Sequence, residues 1–242
     1  DQVGAILDDN LSIASAGLLD EGAKAWVEVS VPETMTSSEG GVEYLPLLLA
    51  TTSLDGTIAT TYKMTVVLVV CDNTRAAALN GRGNQFKVKH TRNSEMKLTS
   101  AQDALGLVMA TADEFDKQYS ELVLQKVTPK QWAKYLDTQV PMPEEDYAKR
   151  DDGSVVVLNK RAITMAERKR DNLVYLYNHD EKVAPWKGTA FGALQAFNTY
   201  EHHEARANKG TVRLERNMLR TIKGEYDSLD RDNYKVLQEV LS

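Results

Sequence analysis

Two hydrophobic periods succeed one another along this chain, and the change between them divides it. Up to about residue 71 the apolar positions recur every second residue, as in strands. Before that pattern sets in, Val3, Ile6 and Leu7 suit the end of a helix over residues 1–10. Ser12 to Leu18 is a short β-compatible run. Lys24 to Pro32 alternates, with Ala25, Val27 and Val29 on one face and Trp26, Glu28 and Ser30 on the other. Pro32 closes this run because proline carries no ladder donor. Thr36 to Gly41 is polar and small and reads as a loop. Glu43 to Thr52 predicts a third strand and Thr57 to Cys71 a fourth, joined through Asp55-Gly56, a dipeptide that favours hairpin turns. Val66 to Val70 is apolar on both faces, which places it in the middle of the sheet.

Beyond residue 71, spacings of three and four take over. Thr74 to Leu79 predicts a short helix, broken by Asn80-Gly81 and Gly83, and Phe86 to Thr91 alternates as a last strand. Ala101, Leu105, Val108, Ala112, Phe115, Tyr119 and Leu122 line one face of a long amphipathic helix, which Ser100 can cap with Asp103 three residues on. Thr128-Pro129 pairs a cap with a first-turn proline and opens a helix through Trp132 and Leu136, which Pro141-Met142-Pro143 stops. Residues 144–159 are charged, turn at Asp151-Asp152-Gly153, and read as a surface insertion or a small hairpin. Arg161 to Tyr177 is helical and Asn178 to Gly188 a loop. Thr189 then caps a helix to about Arg206, with Phe191, Leu194, Phe197 and Glu201 on one side, and helices around 211–223 and 228–241 follow. Strands first and helices afterwards is the order of an α+β fold: an N-terminal antiparallel β-sheet of hairpins, then a mainly helical C-terminal half packed on it. The sheet region is expected over 1–98 and the helical region over 99–242, in one integrated domain.

Composition narrows the class. A chain of 242 residues with 42% hydrophobic and 26% charged content is ordinary globular material, so disorder, collagen and low-complexity classes are excluded. No apolar run approaches the ~18 residues of a membrane helix. The single cysteine, Cys71, excludes an internal disulfide framework and fits a reducing compartment. The net charge of -6 argues against a histone-like binder. The charge is uneven, however. Residues 1–60 hold ten acids and one base, Lys24, whereas residues 61–97 hold Lys63, Arg75, Arg82, Lys87, Lys89, Arg92 and Lys97 against Asp72 and Glu95. A local basic strip can contact phosphate on an acidic protein; it can equally be a solvated face.

Few residues suggest chemistry. Asp72, Asn73 and Thr74 can each cap the helix expected after Cys71, and a helix start there would offer amides to a phosphate or lower the thiol pKa. A lone cysteine at a strand end is more often a small buried apolar residue. In Tyr200-Glu201-His202-His203-Glu204, adjacent histidines on a helix point about 100° apart, and the zincin spacing of two histidines four apart is missing. There is no Walker A motif and no serine nucleophile elbow, and Gly81-Arg82-Gly83 is too short for a dinucleotide fingerprint. Lys87, Lys89 and Thr91 fall on one face of the expected strand, and such a strand can track a phosphate backbone. A second basic cluster, Lys160-Arg161 with Arg168-Lys169-Arg170, reads as a charged helix face.

Two tracts resemble a known family. Val69-Val70-Cys71-Asp72-Asn73-Thr74 followed by Lys89-His90-Thr91 is similar to a Val-Val-Cys-x-Asn-Thr motif with a basic segment ending His-Thr behind it. Gly188-Thr189-Ala190-Phe191-Gly192-Ala193-Leu194, with Ala196, Tyr200 and His203 downstream, is similar to a Gly-Thr-Ala-aromatic-Gly-Ala helix. From about Leu18 to Arg206 the chain thus resembles the phage/plasmid-like domain-of-unknown-function 932 family, with Asp72 and Phe191 as departures. The resemblance marks Cys71, Asn73, Thr74, His90, Gly188, Thr189, Phe191, Gly192, Tyr200 and His203 as family-motif positions. It implies a phage, prophage or plasmid origin and a bacterial host cytoplasm, and no established activity.

By analogy of topology, a hairpin sheet followed by a long helix is similar to the core of phage single-strand annealing proteins, which use a basic groove beside a sheet and assemble into rings or filaments. The leading expectation is a non-enzymatic, phage- or plasmid-encoded DNA-binding protein of replication or recombination. It would hold single-stranded DNA through Arg75, Arg82, Lys87, Lys89 and Arg92, with Asn73 and Thr74 at the supporting helix start. No catalytic residue, metal, cofactor or membrane is expected. The expected partners are single-stranded DNA, further copies of the chain in a homo-oligomer, and host or phage replication or recombination proteins. Two other readings stand beside it: an enzyme using Cys71 with His90 or His203 on a small or nucleotide substrate, and a structural or host-interaction oligomer.

Overall fold

Among the described residues the period-two part of the sequence forms the first five strands of a seven-stranded antiparallel sheet, and residues 73–76 and 85–88 add the other two. Its strands are β1 (Ser12–Leu19), β2 (Lys24–Ser30), β3 (Met35–Thr36), β4 (Glu43–Ser53), β5 (Thr60–Leu68), β6 (Asn73–Ala76) and β7 (Gln85–Val88). They lie in the order β1-β2-β4-β5-β6, with β3 also on β4 and β7 also on β5. The later sequence forms α1 (Ala101–Leu124), α2 (Pro129–Gln139), the hairpin β8 (Tyr147–Lys149) and β9 (Val155–Val157), α3 (Lys160–His179), α4 (Ala190–Thr199), α5 (Arg213–Lys223) and α6 (Glu225–Leu241). The fold is therefore α+β, an N-terminal antiparallel sheet followed by a mainly helical C-terminal half. This computed structural model describes residues 10–70, 73–76, 79, 85–88, 101–206 and 212–242, with β6 and β7 described by their backbone. The expected helix end over 1–10 lies outside them, apart from Asn10. The chain forms two compact units, Asp1–Val123 with Ala205–Arg231, and Leu124–Glu204 with Asp232–Ser242.

In the first unit, one face of the sheet is apolar. Val29, Leu48, Ala50, Tyr62 and Met64 are buried against Ala104 and Val108 of α1. Farther along the helix, Phe115 sits 4.7 Å from the ring of Tyr44, whose hydroxyl donates to the Ala112 carbonyl. The opposite face meets α5: Leu19, Leu49 and Ile222 form a second core with Trp26, Ile58, Met218 and Leu219 packed on it. The Trp26 indole occupies the space over Gly17 of β1, where a Cβ would lie 2.9 Å from the ring. The segment expected to be a loop, Thr36 to Gly41, begins at the last residue of β3 and is tied down: Ser38 gives its N–H and hydroxyl to the Asp116 carboxylate of α1 at 2.8 and 2.7 Å.

The central strand differs from expectation at its end. Val66 and Leu68 are fully buried, but Val69 and Val70 form a turn and are 42% and 46% exposed. Pairing of β5 with β4 stops at Tyr44 and Leu68, next to where β4 begins, so the apolar tract leaves the sheet there.

In the second unit, α2 begins with Thr128 as its cap, as expected, and the structure adds a capping box, Thr128 and Gln131 bonding each other's backbone N–H. The charged segment is the hairpin β8–β9. Rings of Trp132 and Tyr177 stack at 4.0 Å, and Phe197 meets Tyr135 edge-on at 5.1 Å. Every residue of α4 is buried, in keeping with its apolar character all round. The helix expected to reach Arg206 ends at Thr199 and continues as a π-helical turn, Tyr200–Glu204.

Candidate functional site

The outer lane of the sheet, beside β5, carries those predicted phosphate contacts that the structure describes. β6 pairs with Thr65–Leu68 of β5 and β7 with Thr60–Lys63, so both run along the same strand, with residues 77–84 between them. Within that interval Leu79 is buried, and its N–H donates to Gln118 of α1 at 3.0 Å. The short helix expected over Thr74 to Leu79 is therefore corrected: residues 73–76 are a strand. Alanines and arginine favour a helix locally, but the outer side of β5 offers a row of backbone groups that a strand satisfies. The expected helix start at Asn73 and Thr74, with its amides for a phosphate, is thereby overturned; Asn73 pairs with Leu68 and Thr74 with Val67. Arg75 pairs with Val66 and Lys87 with Thr61. These β5 positions have opposite parity, so Arg75 and Lys87 occupy rows on opposite faces of the sheet. Cys71, Arg82, Lys89, His90 and Arg92 lie outside the described residues.

Lys63, counted among the basic residues of this stretch, is not a surface cation. Its side chain is buried on the α5 side of the sheet, 2.7 Å from the Asp227 carboxylate of α6, and its ammonium donates to the Thr221 carbonyl at 2.8 Å. The same face holds two enclosed hydroxyls, Thr51 and Thr65, that have no hydrogen-bond partner among the described residues. It also holds Glu28, whose carboxyl burial pushes above its ordinary value against the opposing bond from Ser15. The sequence signal was a lysine inside the run Tyr62-Lys63-Met64-Thr65-Val66. Its partner, 164 residues away along the chain, had no signal.

The second motif tract is structural at its start. Gly188 has φ +82°, in the left-handed region that glycine adopts without strain. Its N–H donates to the Tyr177 hydroxyl, and its carbonyl accepts from Val127. Thr189 caps α4, accepting from the Gly192 N–H at 3.1 Å while its hydroxyl donates to the Trp186 carbonyl at 2.7 Å. At Gly192 a Cβ would lie 2.1 Å from that carbonyl oxygen, so only glycine lets α4 come this close. Phe191 is buried 5.0 Å from the Trp186 ring. Tyr200 lies under the Lys169 ammonium, which also reaches Glu201, and His203 is half-buried on the π-helical turn. In the second basic cluster Arg170 is likewise engaged, by Asp137 and the Val140 carbonyl. Among the described residues no group of three or more histidines, cysteines and carboxylates converges as a metal site. No described helix is long and apolar enough to cross a membrane.

Over residues 1–223 the chain matches the family model of a domain of unknown function, DUF932, and it belongs to that family. The match takes in both motif tracts. No curated protein and no solved structure matches the chain.

Proposed function

We propose that this chain is a non-enzymatic DNA-binding protein of a phage or plasmid, taking single-stranded DNA in replication or recombination within the host cytoplasm. The observation that supports this reading is the outer lane of the sheet. It is built from a stretch, residues 61–97, in which bases outnumber acids, and lies in a meander of antiparallel strands crossed by one long helix. Because Arg75 and Lys87 belong to opposite faces, the strand would run along the sheet edge, where both rows can reach it, rather than across a face. No helix amide takes part. The binding is electrostatic, so affinity falls steeply with salt. Fluorescence anisotropy with a labelled oligonucleotide at low salt tests it. Binding is expected, weakened several-fold by Lys87→Ala or Arg75→Ala and with a shallower salt slope in each variant. No change in anisotropy at micromolar protein rejects the reading.

A further inference from the structure

The two edges of the sheet are built in opposite ways. Beyond β5 the described strands are short: β6 and β7 have four residues each, and their sequences include Arg75 and Lys87. Short strands and charged residues are among the means by which proteins keep a sheet edge from pairing with another chain. At the other edge β1 has eight residues with no charge and no proline, and its register with β2 shifts only between Ile13 and Ser15. Among the described residues β1 pairs with β2 alone. Ile13 and Leu18 are 52% and 67% exposed. They pair with Val29 and Ala25 of β2, so the register shift has put both on the same face of the sheet.

We propose that β1 is a homodimer interface, at which two copies of this chain join β1 to β1 in antiparallel fashion about a two-fold axis perpendicular to the sheet. The strand's own sequence selects a second copy as the occupant. Full overlap of the eight residues sets Ile13 opposite Leu18 of the second copy, and Leu18 opposite its Ile13. Each exposed apolar side chain is then covered by the other, as in cross-strand pairs generally. The strand brings no charge into the contact, and Asp20 at its end is already held by Lys24. The outer backbone groups of β1 gain ladder partners, and the contact is isologous and closed, ending at two copies. The guarded β6–β7 edge stays free of it.

This association does not rest on DNA binding, and its test uses protein alone. Sedimentation equilibrium at micromolar concentrations should give twice 27.0 kDa, with little dependence on salt. The double variant Ile13→Lys, Leu18→Lys should sediment as a monomer with an unchanged circular dichroism spectrum, while Lys87→Ala stays dimeric. A second variant set reads the register. With Cys71→Ser, Ile13→Cys and Leu18→Cys, oxidation should give a disulfide-linked dimer. The two positions within one strand are ~17 Å apart at ~3.4 Å per residue, beyond the reach of a disulfide. A wild-type monomer at every concentration, a dimer indifferent to the two lysines, or failure of the cysteines to cross-link would each overturn the proposal.

Discussion

The sheet's α1 side and its α5 side come from the same strands, alternate residue by alternate residue, yet they are held by different forces. Toward α1 the strands offer Val29, Leu48, Ala50, Tyr62 and Met64, and the contact is chiefly apolar burial, with polar ties to α1 from Tyr44 and Ser38. Toward α5 they offer Leu49 and Trp26 interleaved with Lys63, Thr51, Thr65 and Glu28. Apolar burial is non-directional, whereas the Lys63 ammonium must meet both the Asp227 carboxylate and the Thr221 carbonyl. A buried ion pair adds little net stability over an apolar replacement, but it is costly to break halfway. The α1 side thus supplies the strength of the unit, and the α5 side fixes where α5 and the first turn of α6 dock on the sheet.

Substitutions can break or sharpen this contrast. Leu48→Ala, at a fully buried position on the α1 side, should cost about 4 kcal/mol in urea unfolding, from lost transfer energy and the cavity left behind. Lys63→Met should cost about 3 kcal/mol by stranding the Asp227 carboxylate, and adding Asp227→Leu should recover most of it. A loss in the double variant as large as in the single would show that the pair matters for strength and not only for placement. Thr65→Val should be neutral or stabilise by about 1 kcal/mol, because it replaces an enclosed hydroxyl without a partner by a methyl of the same shape.

The smallest effect concerns pH. Burial raises the Glu28 carboxyl above its usual value. A carboxyl raised in the folded state favours folding while protonated, below its unfolded pKa of about 4.3, and loses that contribution as pH rises through the folded value. Glu28→Gln should therefore raise the melting temperature at neutral pH, with the advantage vanishing as pH falls below the carboxylate range. An equal gain at all pH values would mean that the carboxyl titrates as in the unfolded chain.

These contrasts also explain what could be read in advance. The α1 side was legible because its partners obey short-range rules: Val27 and Val29 alternate, and Val108, Ala112, Phe115, Tyr119 and Leu122 repeat at helical spacing, and all five of these helix residues are buried. The caps at Thr128 and Thr189 were legible for the same reason. Residues 73–76 carry a helical pattern, and their strand is imposed by β5, not by their own sequence. At the candidate site the basic character of the lane was visible, but the opposite rows of Arg75 and Lys87 depend on register, which no local pattern carries. Gly192 stood out as part of a motif, yet the reason for it, the Trp186 carbonyl, appears only in three dimensions.

The chain's three tryptophans are divided unequally: Trp26 lies against Gly17 in the sheet unit, whereas Trp132 and Trp186 are buried in the helical one. Intrinsic fluorescence is consequently weighted toward the helical unit, and Trp26→Phe would turn it into an optical reporter of that unit alone. Followed beside a far-ultraviolet signal that sees both, such a protein would report directly whether the two halves melt in one cooperative step or in succession.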